Sequence, residues 1–172
     1  MSQPHSDPSQ PTRSRPWMPG YGIEADLDGL LDWSWAESRL SSQHNYWICS
    51  TGTDGAPHAS PVWGVWVSSA LFFSTGVTSR KYRNLTADGR CVVAVDRGEE
   101  SLTIEGSAEV VGSSGDAEWA DLVGRPYLAK YDTDMVAMNA PVFRVTPVKV
   151  IAQIDRDGEF TRTATRWTWP PH

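Results

Sequence analysis

Cysteine is scarce in this chain of 172 residues: Cys49 and Cys91 are its two, each inside an apolar run. There is no Cys-x-x-Cys, and no histidine stands at zinc-ligand spacing from either. A disulfide framework is thereby excluded, and a reducing, cytoplasmic compartment is expected. Positive charge is also in short supply. Fifteen Lys+Arg stand against 21 Asp+Glu, for a net charge of −6. Nucleic acids and anionic membranes demand clustered cations, so neither is expected as a partner. No stretch approaches the roughly 18 apolar residues of a membrane span. Arg13 and Arg15 lead into Pro-Trp-Met-Pro, not into the apolar segment of a signal peptide. The histidines (His5, His44, His58, His172) are scattered, so no metal site is expected. Asp96, Glu105 and Glu109 are isolated carboxylates, and no Gly-x-Ser-x-Gly elbow is present. No catalytic acid, base or nucleophile can be named, which suits a reaction whose chemistry comes from a bound cofactor.

Tryptophan, by contrast, is abundant, with nine residues. Such a surplus fits a large core or a cleft lined for a flat ligand. The length fits one domain. Residues 1–20 hold five prolines and four serines and read as a disordered tail, leaving 21–172 as the folded domain. Helical spacing runs from Asp26 to Leu40, with Asp26 or Asp32 as N-cap and Gly29 as a weak point. Tyr46–Thr51, Pro57–Val67 and Leu71–Phe73 read as a three-stranded meander, with a turn at 53–56. A short helix over Ser79–Ala87 precedes strands at Cys91–Val95 and Leu102–Val111. Residues 114–131 read as helix until Arg125-Pro126 interrupts it. Pro141–Val145, Val148–Ile154 and Phe160–Trp169 read as closing strands, the last pair joined by a turn at 155–158. The expected fold is mainly β, a closed or nearly closed barrel of about seven antiparallel strands with a few short helices.

Two segments stand out for chemistry. In the first, a strand ends in Ser74-Thr75, Gly76 follows, and a helix starts at Ser79 with Arg80, Lys81 and Arg83 in its first turn. Hydroxyls, free backbone N–H groups at a helix start and cations together make a phosphate cradle. A solvated basic helix face has the same charge pattern, but the hydroxyl-rich strand end favours an anion site. The second is His58-Ala59-Ser60-Pro61-Val62-Trp63-Gly64. Proline inside a strand belongs at an edge or a bulge, which leaves backbone groups around Ser60–Val62 free for the heteroatoms of a planar ring, with Trp63 as a wall. Trp63 and Trp66 read equally as barrel core and rim. Trp47 and Trp119 read as core, and Trp63, Trp66, Trp167 and Trp169 as flanking a cleft.

These segments resemble the pyridoxamine 5'-phosphate oxidase-like, flavin-binding split β-barrel superfamily, and more narrowly its flavin/deazaflavin (coenzyme F420)-dependent oxidoreductase branch. The matching stretches are Tyr46-Trp47-Ile48, Asp54-Gly55-Ala56-Pro57-His58, Ser60-Pro61-Val62-Trp63, Phe73-Ser74-Thr75 through Ser79-Arg80-Lys81 to Arg83-Asn84-Leu85, and Ile104-Glu105-Gly106-Ser107-Ala108. The resemblance covers about Leu30 to Trp167. It implies a split β-barrel homodimer with cofactor sites between subunits. It also implies that Ser79, Arg80 and Lys81 hold the cofactor phosphate, that Ser74 and Thr75 add hydroxyls, and that Ser60, Pro61, Val62 and Trp63 lie along the ring. Trp167, in Thr165-Arg166-Trp167, would lie near the site or pack at the dimer interface. One departure bears on substrate: Pro57–Trp66 has no Lys or Arg, so a substrate phosphate would lack counter-charge and vitamin B6 oxidation is discounted. The expectation is hydride transfer from reduced F420 to a small electron-poor acceptor, with FMN as alternative cofactor and a non-catalytic cofactor- or haem-binding barrel as the third reading. Arg83, Arg125 and Lys130 are the cations available for the oligoglutamate tail of F420.

Overall fold

Nine strands and five helices of three to ten residues are present in the computed structural model, which describes residues 10–169. The strands are β1 (Thr12–Ser14), β2 (Tyr46–Thr51), β3 (Pro57–Val62), β4 (Gly64–Val67), β5 (Ala70–Ser74), β6 (Arg90–Asp96), β7 (Glu100–Ser113), β8 (Pro141–Ile154) and β9 (Thr165–Thr168). The helices are α1 (Trp33–Ser42), α2 (Arg80–Ala87), α3 (Ala117–Trp119), α4 (Arg125–Tyr131) and α5 (Phe160–Thr163). All pairings are antiparallel, in the order β1-β9-β8-β7-β6-β2-β3, with the β4-β5 hairpin attached to β8 through β5. The sheet is not closed.

The long strand β8 divides the barrel. One edge pairs with β7 along nearly its whole length, while the other edge is shared between two partners. Val142–Val145 pair with β5 and Lys149–Ala152 with β9. Between the halves lies Pro147, which cannot donate to a ladder. There the β7 register slips at Glu105/Gly106, a bulge that absorbs the missing N–H. The chain expected as two strands, Pro141–Val145 and Val148–Ile154, is therefore one strand with a bulge.

The hairpin β4-β5 is buried on both faces, which accounts for its nearly unbroken apolar sequence. Trp66, Leu71 and Phe73 face the main core with Ile48, Val93, Ile104, Phe143 and Trp167. Val65, Ala70 and Phe72 face a second core under α3 and α4, made with Trp119, Val123, Tyr127 and Met135. Phe73 stacks on Phe143 with centroids 5.2 Å apart, locking β5 to β8. The expected meander consequently stops at Trp63, where the chain leaves β3 and crosses to the other half of the barrel.

Other boundaries differ for local reasons. The first helix starts at Trp33, not Asp26, because Gly29 takes φ +80° and Leu31 N–H donates to Thr165 Oγ1 at 2.9 Å instead of a helical carbonyl. Asp32 occupies the N-cap position but pairs with Arg13, and Asp26 accepts from its neighbour Asp28 N–H. Pro126 does not end the second helical region: a π-helical turn at residues 120–124 precedes it and α4 follows, with proline in its first turn. The segment read as strand from Phe160 starts as α5, and β9 begins at Thr165. Within the proline-rich stretch, residues 1–9 lie outside the described residues, but Thr12–Ser14 form β1 against β9. Arg15 fixes this strap by donating to the backbone oxygens of Asp26, Asp28, Arg162 and Ala164.

Candidate functional site

The cationic segment begins where β5 ends. Ser79 caps α2, its Oγ accepting from Tyr82 N–H at 3.1 Å, and the same hydroxyl lies 3.1 Å from Thr75 Oγ1. Lys81 Nζ reaches toward Thr75 Oγ1 at 3.5 Å. Two hydroxyls, an ammonium and the first free N–H groups of an eight-residue helix thus converge. Among the described residues, none of the ion pairs involves Arg80, Lys81 or Arg83. Ser74 is committed elsewhere, its Oγ donating to Pro141 O at 2.8 Å, so it braces β5 against β8.

The helix is set across the inner face of β2 and β3. Asn84 Nδ2, buried one turn after Lys81, donates to Ser50 Oγ at 3.1 Å, and Ser50 is the cross-strand partner of His58. Ser60 follows His58 on the same face of β3. His58 Nδ1 and Ser60 Oγ are both buried without a hydrogen-bond partner among the described residues. Since β3 ends the strand order, the backbone groups along its outer edge have no ladder partner among the described residues. Pro57 and Pro61 are exposed along it, as proline on an edge should be.

At the end of β3, Trp63 is 40% exposed and stacks on Tyr131 at 4.8 Å with planes 3° apart, His44 closing the edge. Gly64 is the anchor for this arrangement. Its N–H donates to Tyr131 Oη, and its carbonyl accepts from Lys130 Nζ at 3.0 Å. A Cβ at Gly64 would meet the Phe72 carbonyl at 2.7 Å, so only glycine lets β4 lie this close to β5. Burial and its neighbour Tyr131 push the Tyr46 hydroxyl far above the usual tyrosine range, burial raises Tyr131 to about 12, and burial lowers Lys130 to about 8.

A family model described as pyridoxamine 5'-phosphate oxidase matches residues 36–154. The chain belongs to the pyridoxamine 5'-phosphate oxidase family. Among solved structures, this family member is similar to a conserved hypothetical protein of Mycobacterium tuberculosis, with 21% identity, TM-score 0.66, and 78% of this chain and 91% of that one covered. It is similar to an F420 reductase, with 21% identity, TM-score 0.55, and 66% and 94% covered. It is also similar to the heme storage protein of Vibrio cholerae, with 16% identity, TM-score 0.57, and 69% and 90% covered. No curated protein matches the chain. The pyridoxamine 5'-phosphate oxidase fold therefore occurs in proteins of different cofactor chemistry, and discrimination falls to the residues of the individual member.

In this pyridoxamine 5'-phosphate oxidase family member, Thr75, Ser79 and Lys81 come together, and Ser60 lies on the face over which their helix is anchored. Trp167 does not border an open cleft: it is fully buried, edge-on to Trp33 at 5.6 Å in the main core. Trp66 is core as well. Trp47, expected in the core, is 47% exposed on the outer sheet face. That face carries a cleft of about 790 Å³ whose lining includes Cys49, Thr51, Ala59, Val92, Glu105 and Val148. Cys49, Ala59, Val92 and Glu105 share the face by register across β3, β2, β6 and β7. Cys91, next to Val92 on β6, is buried in the main core, its thiol pushed up to about 11 by burial and then by Cys49. Sequence reading did not bring Tyr46, Lys130, Tyr131 and His44 together, because their grouping depends on packing between distant elements. A signal for the outer face was present: Trp47-Ile48-Cys49 and Val92-Val93-Ala94 are apolar at consecutive positions, as in strands covered on both sides.

Proposed function

We propose that the chain is an oxidoreductase that uses F420 and reduces a small electron-poor organic molecule such as an enone, quinone or nitro compound. The observation that carries this reading is the convergence of Thr75, Ser79 and Lys81 at the start of α2, beside Arg80 and Arg83, with no carboxylate pairing those cations among the described residues. A phosphate-bearing planar heterocycle fits the residues present. Lys81, Arg80 and Ser79 would hold the phosphate. The unpaired edge of β3 from Ser60 to Val62, with the orphaned Ser60 Oγ and His58 Nδ1, supplies polar groups for ring heteroatoms. When bound, such a cofactor supplies the hydride. The chain's part is to orient the ring and exclude water, which accelerates transfer without side-chain chemistry.

FMN is the second reading, and one observation favours it. Of the three cations considered for an oligoglutamate tail, Arg125 pairs with Asp121 and Lys130 turns inward to Gly64 O and Tyr46, leaving Arg83 on α2. We further propose a cytoplasmic homodimer in which a second copy covers the apolar cleft on the outer face. Vitamin B6 phosphates remain disfavoured as substrates because β3 and β4 carry no Lys or Arg.

Tryptophan quenching on separate titration with F420, FMN and haem tests the proposal. Saturable binding of F420 is expected, and tight FMN binding without F420 binding sinks the leading reading. Lys81→Ala should weaken the bound cofactor roughly tenfold to a hundredfold, the worth of a charge-assisted bond to phosphate. Unchanged affinity in that variant removes the phosphate assignment.

A further inference from the structure

Lys130 is half-buried near the end of α4, and its surroundings leave its charge unmatched. An ammonium has three N–H donors. Two of them reach Tyr46 Oη and the Gly64 carbonyl, both at 3.0 Å and both neutral oxygens. The rings of Tyr46 and Tyr131 flank the cation at 4.8 and 5.3 Å. Neither tyrosine supplies a countercharge, because burial holds both protonated well beyond neutral pH. None of the ion pairs among the described residues involves Lys130. A cation withdrawn from water without an anion is costly, and an anion that arrives with its own apolar body relieves that cost.

Beside Lys130 a cleft of about 350 Å³ opens between β4 and α4. Its walls include Val65, Val67, Pro126 and Ala129, and Trp66 contributes to it as well. No lining residue is shared with the cradle at α2. The volume sits at the small end of the roughly 300–1,000 Å³ range of ligand pockets.

We propose that this cleft binds a small organic monocarboxylate, with Lys130 as its counter-ion and the apolar walls around its hydrocarbon body. A single cation with one spare donor matches a single negative charge. Phosphate would bring more charge than Lys130 balances and no apolar surface for the walls. The site does not depend on which cofactor the cradle holds.

Two probes of the same shape test it: benzoate and its neutral counterpart benzamide, added to the uniformly ¹⁵N-labelled chain. The indole N–H resonance of Trp66, assigned from a Trp66→Phe variant, reports occupancy. Benzoate should shift that resonance saturably, with benzamide at least about tenfold weaker. Lys130→Met should lose the benzoate response, and Lys130→Arg should keep it. Benzamide matching benzoate overturns the proposal, as does a benzoate titration that never saturates. Benzoate binding at wild-type affinity to Lys130→Met overturns it equally. The comparison of the two probes on the wild-type chain holds whether or not Lys130→Met folds.

Discussion

Lys130 gives the protein an alkaline response whose sign follows from burial. The ammonium titrates at about 8 in the fold against 10.5 for an ordinary lysine. Between those values the unfolded chain binds more protons than the folded one, so stability rises with pH. Other titrating groups of the fold then oppose the rise. Cys91, raised from 9.0 to about 11, favours unfolding from pH 9 upward, and Tyr131, raised from 10.0 to about 12, does so from pH 10. Tyr46 and Tyr127, both shifted upward by burial, act in the same direction as Tyr131, while His44 faces the far edge of Tyr131. The window in which Lys130 acts alone is therefore pH 8 to 9. The urea midpoint should climb across it in the wild-type chain and stay level in Lys130→Met. At this scale the sequence was informative where function is local. Ser79 caps its helix as its residue type and position imply, and Thr75 and Lys81 are near enough in the chain to be read together. Trp167 could not be placed that way, since alternation in a strand does not say which face will be sealed by Trp33 from another element.

The β4-β5 hairpin turns on two serines, Ser68 at φ +48° and Ser69 at φ +57°. A two-residue turn with both residues left-handed favours Asn-Gly, and a side chain other than Gly or Asn held there costs on the order of 1 kcal/mol. Replacing Ser68-Ser69 with Asn-Gly should raise stability by about 1 kcal/mol, read from chemical denaturation. Gly64→Ala, on the first residue of the same hairpin, should cost roughly 1–3 kcal/mol because its Cβ has backbone, not a yielding side chain, at 2.7 Å. If Gly64→Ala is neutral, the close approach of β4 and β5 is not what fixes Trp63. These elements also mark where sequence reading failed. A strand buried on two faces loses the alternation that assigns it to one sheet, so β4 and β5 were joined to the nearest strand in the chain instead of to β8. Residues 114–131 were legible as helix, but a π-helical turn accommodates Pro126 in a way no propensity scale registers.

At the scale of the molecule, the outer face of β3, β2, β6 and β7 carries the cleft of about 790 Å³, and Trp47 stands exposed on the same face. Trp47→Glu should convert a dimer to a monomer in sedimentation velocity with its far-UV spectrum unchanged. A monomeric wild-type chain would remove the second copy from the functional proposal. The mainly β class was legible from alternation and turn chemistry, because both are local, and the split barrel from the family resemblance; the nine-strand order was not, because β1 and β8 draw on partners far along the chain. That long-range pairing also governs how the protein is made. Leu71–Ser74 emerge from the ribosome some 70 residues before Val142–Val145, the segment that completes their side of the sheet. During that interval a hairpin with two greasy faces has neither of its cores and an open edge, a state prone to association with other nascent chains. Slow synthesis through residues 75–140 should therefore lower the yield of folded protein more than an equal delay after Ile154.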